Sequence, residues 1–171
     1  QLHGADDGCI VPPTDADDFR EFTRALALRY SGLFPGYPFA RFISIWNEPN
    51  SPRFLAGDDR AAAYAKLAAA GYAGVKAGSR RTLVAIGETA SRHCPGTFMQ
   101  AVARADPELR FDAWSHHPYP PTADGSPDAS AQWPNVGLQE LGRFGDEIDE
   151  AFARTDTPLW VSEYAESTTA V

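Results

Sequence analysis

Four short segments of this sequence carry side chains able to do chemistry: Asn47-Glu48, Glu88, His116-His117 with Tyr119, and Glu163 with Glu166. Two apolar runs end directly in a glutamate. A carboxylate in that setting is costly unless it is paired, solvated or employed. Two such groups with different environments can divide the work, one donating a proton while the other attacks as an anion. Taken singly, each glutamate reads more simply as a solvated loop carboxylate. The adjacent histidines cannot both ligate one metal from a strand, because neighbouring side chains leave a strand on opposite faces. There is no HxxxH or CxxC spacing for a metal and no GxSxG for a serine nucleophile. Cys94 lies in RHCPG without an evident base, and no glycine-rich phosphate loop follows any apolar run.

The elements that must position these residues can be read from periodicity. Asp15 or Thr14 caps a helix to about residue 30, with an apolar stripe of Phe19, Phe22, Leu26 and Tyr30. Residues 41–47 form a buried strand ahead of Pro49, and Asp58 opens an alanine-rich helix to about residue 76. RTLVAIG at 81–87 reads as a strand, 96–104 as a helix, and 111–117 as a third strand. A long Pro/Ser/Asp loop follows. Leu138, Leu141, Phe144, Ile148 and Phe152 then mark an amphipathic helix, and 158–163 a last strand. Strands that alternate with helices imply right-handed βαβ units and a parallel sheet. Chemistry then belongs at the carboxyl ends of the strands, where the four segments fall.

Composition narrows the class. With 171 residues, 43% hydrophobic and 22% charged, the chain is one globular domain's worth of polypeptide. A net charge of −8, with only Lys66 and Lys76 as lysines, argues against a nucleic-acid partner. No apolar run reaches membrane-spanning length. Cys9 and Cys94 allow one disulfide or two free thiols. The chain starts at Gln1, has its only methionine at Met99 and shows no signal segment, which suggests a piece of a longer protein.

IWNEPN at 45–50, SHHPYP at 115–120 and LWVSEY at 159–164 together resemble the retaining (β/α)8-barrel glycoside hydrolases of clan A, such as families 5 and 39. The resemblance covers about residues 15–166 and implies an incomplete barrel, strands four to seven with their helices, as one partial catalytic domain over 1–171. It implies an acid/base at Glu48 and a nucleophile at Glu163. Asn47 would hold the sugar's 2-hydroxyl, and His117 and Tyr119 would belong to the substrate site. The 115 residues from Glu48 to Glu163 span three strand–helix units, about 38 residues each. Trp133, in the long polar loop, is a candidate sugar-stacking platform, whereas Glu88 reads more simply as a solvated loop residue. The implied function is hydrolysis of O-glycosidic bonds, β-linked, in poly- or oligosaccharides, without metal or cofactor, by an extracellular, secreted protein. The alternatives are a catalytically inactive, carbohydrate-binding barrel piece, or a metal-dependent hydrolase using His116 or His117. A full barrel takes about 250 residues, so the remaining strands must be supplied from outside this segment.

Overall fold

The computed structural model describes residues 11–122 and 125–166. The elements run α1 (Ala16–Arg29), β1 (Phe42–Ser44), α2 (Arg60–Gly78), β2 (Leu83–Ala90), α3 (Pro95–Ala105), β3 (Ala113–His117), α4 (Leu141–Ala151, entered through a 3-10 turn at Leu138–Glu140) and β4 (Leu159–Val161). All neighbouring strands pair in parallel, in the order β1-β2-β3-β4. The expected alternation and sequential order are therefore present. No described helix is long and apolar enough to cross a membrane.

The sheet is curled, with helices packed in chain order on its outer side. Alternation along β3 shows the two faces. Trp114 and His116 point outward into Phe144 of α4, while Ser115 and His117 point inward. Across the inner face Phe42 of β1 and Trp160 of β4 meet edge-on, with ring centroids 4.7 Å apart. Only a strongly curved sheet brings its first and fourth strands into contact, as in a barrel wall. Between them a recess of about 420 Å³ is lined by Phe42, Ser44, Glu88, Ser115, Trp160 and Ser162.

Several expectations change. The first strand is shorter than 41–47 and is not buried. Phe42 is 47% exposed, because β1 forms an edge of this sheet with a neighbour on one side only. In α1 the buried face is Thr23 and Ala27, while Phe22 of the expected stripe is exposed. The reason lies in α2. A Cβ on Gly74 would collide with the Thr23 hydroxyl and the Arg20 carbonyl, and one on Gly78 with the Arg24 carbonyl. Two glycines thus let the helix backbones approach closely, and small residues win the interface from larger ones.

The second strand runs on past Gly87 to Ala90, so Glu88 lies inside it. The register slips between Gly87 and Thr89: Gly87 pairs with Ser115 but Thr89 with His116, leaving Glu88 as the extra residue of a bulge. Gly87 has φ 97° and its α-carbon faces the Trp114 ring, so two independent constraints require glycine there. The long loop also packs more than its composition suggests. Trp133 is half-buried over Gly96, near Phe144, with the Arg143 guanidinium 4.1 Å above its ring. Cys94 is exposed, and Cys9 lies outside the described residues.

Candidate active site

The site forms at the carboxyl ends of the four strands. After Ser44 the chain leaves β1 through two left-handed residues, Trp46 (φ 67°) and Glu48 (φ 42°). Three contacts hold this turn in place. The Trp46 indole donates to the Phe54 carbonyl at 2.9 Å, and the Glu48 amide donates to the Glu88 carbonyl at 2.9 Å. Buried Asn50 receives the Ala90 amide and donates to the carbonyls of Ala90 and Arg92, clamping the turn to the end of β2. A further link comes from α2. The Tyr64 hydroxyl accepts from the Gly87 amide at 2.6 Å and donates to the Ile45 carbonyl at 2.9 Å.

His117, fully buried at the end of β3, is the hub. Its Nε2 lies 2.8 Å from Glu88 Oε2, and its Nδ1 lies 3.1 Å from Glu48 Oε1 and 3.5 Å from Glu163 Oε2. Burial works against the charged ring. The hydrogen bonds it donates to Glu48 and Glu88, with the charge of Glu163, outweigh it and raise the imidazole from 6.5 to about 9. Glu88 shows the complementary balance. Burial pushes its carboxyl up, but hydrogen bonds from His117, Ser162 and Ser44 hold it below its ordinary value. At neutral pH the centre is therefore an imidazolium that donates to Glu88 and Glu48.

Glu163 follows β4 in an exposed, extended segment, and the Tyr119 hydroxyl donates to its Oε2 at 3.0 Å. One oxygen of Glu48, one of Glu163 and Nδ1 of His117 all lie within 4.8 Å of one another. Those three atoms are also the set that could hold a metal ion, with Glu88 behind the imidazole in the manner of a carboxylate–histidine–metal arrangement. His116 faces the other way. Its Nε2 donates to the Val136 carbonyl and its Nδ1 accepts from Thr89, while burial lowers its pKa to about 4 and keeps it neutral.

Of the residues singled out in the sequence, Glu48, His117, Tyr119 and Glu163 converge. Asn47 stands exposed beside Glu48. Trp133 does not join them, because its ring is engaged by Phe144 and Arg143 in the helix layer. Glu88 is the opposite case: only 6% exposed, it is the buried anchor of the site and no loop residue. Its signal was present in the glycine before it, since an isolated glycine within a strand marks a bulge. Tyr64, Asn50 and Ser162 gave no such sign, because their roles depend on partners 19 to 74 residues away.

A curled parallel sheet with outer helices and convergent carboxylates at its C-terminal rim defines the class: an incomplete (β/α)8 barrel. No protein-family model matches the chain, and neither does any curated protein sequence. Solved structures do. A family 39 β-xylosidase from Caulobacter crescentus superposes with a TM-score of 0.61 at 21% identity, over 95% of this chain and 34% of that one. A glucosidase from Croceicoccus marinus gives 0.65 at 17% identity, over 94% and 33%. A family 39 glycoside hydrolase from the gut symbiont Bacteroides cellulosilyticus gives 0.61 at 24% identity, over 94% and 32%. The chain thus spans about a third of the length of these structures, and the likeness establishes its fold as part of that barrel.

Proposed function

We propose that this segment carries the acid/base and the nucleophile of a retaining β-glycosidase, as strands four to seven of its barrel. One observation carries the reading: carboxylates 115 residues apart in sequence present oxygens within 4.8 Å of each other, around one imidazole. Retaining enzymes hold their carboxyls about 5–5.5 Å apart and inverting ones roughly 6.5–9.5 Å; oxygens that approach within 4.8 Å support a pair of the closer kind.

The atoms suggest the division of labour. Both contacts to Glu163, from Tyr119 and His117, fall on Oε2, so Oε1 is left to attack the anomeric carbon. Glu48 engages His117 through Oε1, so Oε2 is the atom to carry the proton for the leaving oxygen. The glycosyl ester on Glu163 is then opened by a water that Glu48 deprotonates. Asn47, exposed one residue away, takes the 2-hydroxyl in this reading. The neighbours' names, β-xylosidase and glucosidase, put neutral β-pyranosides first among substrates. A second reading, a metal-dependent hydrolase, draws on the Glu48, His117 and Glu163 grouping.

The test uses the full-length protein on a panel of nitrophenyl β-glycosides, with and without EDTA. Hydrolysis unaffected by EDTA is expected; loss of activity restored by added metal would favour the second reading. Glu163→Ala should be inactive, and azide should then give the inverted glycosyl azide. Glu48→Ala should lose about 10²–10⁴-fold on unactivated substrates, yet still load Glu163 from a dinitrophenyl glycoside. Azide would then release product with retained configuration. The same azide anomer from both variants would refute the assignment.

A further inference from the structure

Resting on that reading, we propose that Glu88 is a positioning residue: it fixes the proton of His117 between Glu48 and Glu163. A regular β2 would place residue 88 on the outer face, against the helices, where Trp114 and His116 lie on β3. The extra residue turns the Glu88 side chain inward instead, to within 2.8 Å of His117 Nε2. The chain accepts a left-handed φ of 43° at a glutamate to achieve this. Strain of that kind persists where the surroundings over-determine it, and is a mark of functional positions.

The carboxylate is held from its other sides as well. Ser162 donates to Oε2 at 2.5 Å and is itself bonded to Ser115 at 2.7 Å. Ser44 of β1 lines the same recess as the Glu88 carboxylate and helps to hold it below its ordinary value. Hydroxyls from β1 and β4 therefore converge on one carboxylate of β2. Its alignment in turn fixes the plane of the His117 ring, and so the direction of Nδ1–H.

The charges facing His117 make the proton decisive. They are Glu48 after β1, Glu88 on β2 and Glu163 after β4, with the Tyr119 phenol at a ring separation of 6.4 Å. Its neighbour His116 turns to the outer face. With the proton in place, Nδ1–H screens Glu48 from Glu163. Without it, the Nδ1 lone pair faces Glu48 Oε1 and Glu163 Oε2 with no hydrogen to donate to either.

The experiment pairs the NMR titration of the His117 ring with pH profiles of kcat/KM, in the full-length protein and in Glu88→Gln and Glu88→Asp. Glu88→Gln should move the His117 midpoint down by about one pH unit, a roughly tenfold loss of proton affinity. Its loss of kcat/KM should grow with pH and shrink in acid, and Glu88→Asp, which keeps the charge, should recover much of it. A loss equal at all pH values, with an unmoved His117 midpoint, would overturn the proposal and leave the glycosidase reading intact. If the wild type cleaves no glycoside, that reading fails alone, and the ring titration still decides whether Glu88 sets the His117 proton. Circular dichroism of each variant excludes unfolding as the cause.

Discussion

Tyr64→Phe removes one oxygen and tests how α2 controls the site. In the β1–β2 ladder the Ile45 amide donates to the Ala85 carbonyl, so the next rung would join the Gly87 amide to the Ile45 carbonyl. That rung is not closed directly. The Tyr64 hydroxyl is inserted in it, bonded at 2.6 Å to the amide and at 2.9 Å to the carbonyl. Tyr64 has no solvent exposure, so both groups lose this bridge, with no water to replace it, when the oxygen goes. A buried polar group left without a partner costs about 1–3 kcal/mol, and two such groups set a floor of about 2 kcal/mol. Each 1.36 kcal/mol is a factor of ten, so the Gly87 amide should exchange its hydrogen at least about 30-fold faster. Hydrogen exchange over residues 83–90 reads this directly, with the exposed Tyr164→Phe as a control expected to change little. Catalysis should suffer too, because the same bulge presents Glu88 and the turn after it presents Glu48. An acceleration under about threefold would mean that the strands close the rung themselves, and that the hydroxyl is dispensable.

Two further outcomes concern stability. His117 has a folded pKa of about 9 against an ordinary 6.5, so the stability it contributes is complete below pH 6.5 and is lost as pH rises to 9. His116 has a folded pKa of about 4, so its contribution is complete above pH 6.5 and is lost as pH falls to 4. Urea midpoints should therefore peak near pH 6.5, and His117→Gln should flatten the alkaline side only; a symmetric effect would refute this. Gly87→Ala forces a methyl group against Trp114 at φ 97°, and should destabilise by about 2–4 kcal/mol. A urea midpoint indistinguishable from wild type would show that the bulge tolerates side chains.

Much of the architecture was legible because its causes are local. Apolar runs closed by Pro and Gly, alternating with helical periodicity, specify βαβ units whatever lies around them. The errors arise where a distant neighbour decides. Residues 41–47 read as buried, yet strand exposure depends on whether another strand lies alongside, and within this segment β1 has one on a single side. Phe22 lost its place in the interface to Thr23 and Ala27, because glycines on another helix set the approach distance. Trp133 looked like a surface platform because its loop is polar, but composition does not reveal that Gly96 leaves room for an indole. Glu48, His117, Tyr119 and Glu163 were visible through their motifs, each following an apolar run. Glu88 was seen but given the wrong environment, since the bulge that turns it inward shifts burial by one residue.

Contacts between successive strands and helices close loops of a few dozen residues, but Glu48 and Glu163 meet only across 115. Strands β1, β2 and β3 can therefore pair, with His117 already bonded to Glu48 and Glu88, before Glu163 arrives. At a synthesis rate of roughly 5–20 residues per second, the 46 residues from His117 to Glu163 take about 2–9 s to appear. Over that interval the nascent site holds two acidic groups around one imidazole, one fewer than the complete site. Docking of β4 then adds the third carboxylate and costs repulsion, which the Phe42–Trp160 contact and the Ser115–Ser162 bond must offset. The two carboxylates thus meet only once β4 has docked across the sheet from β1.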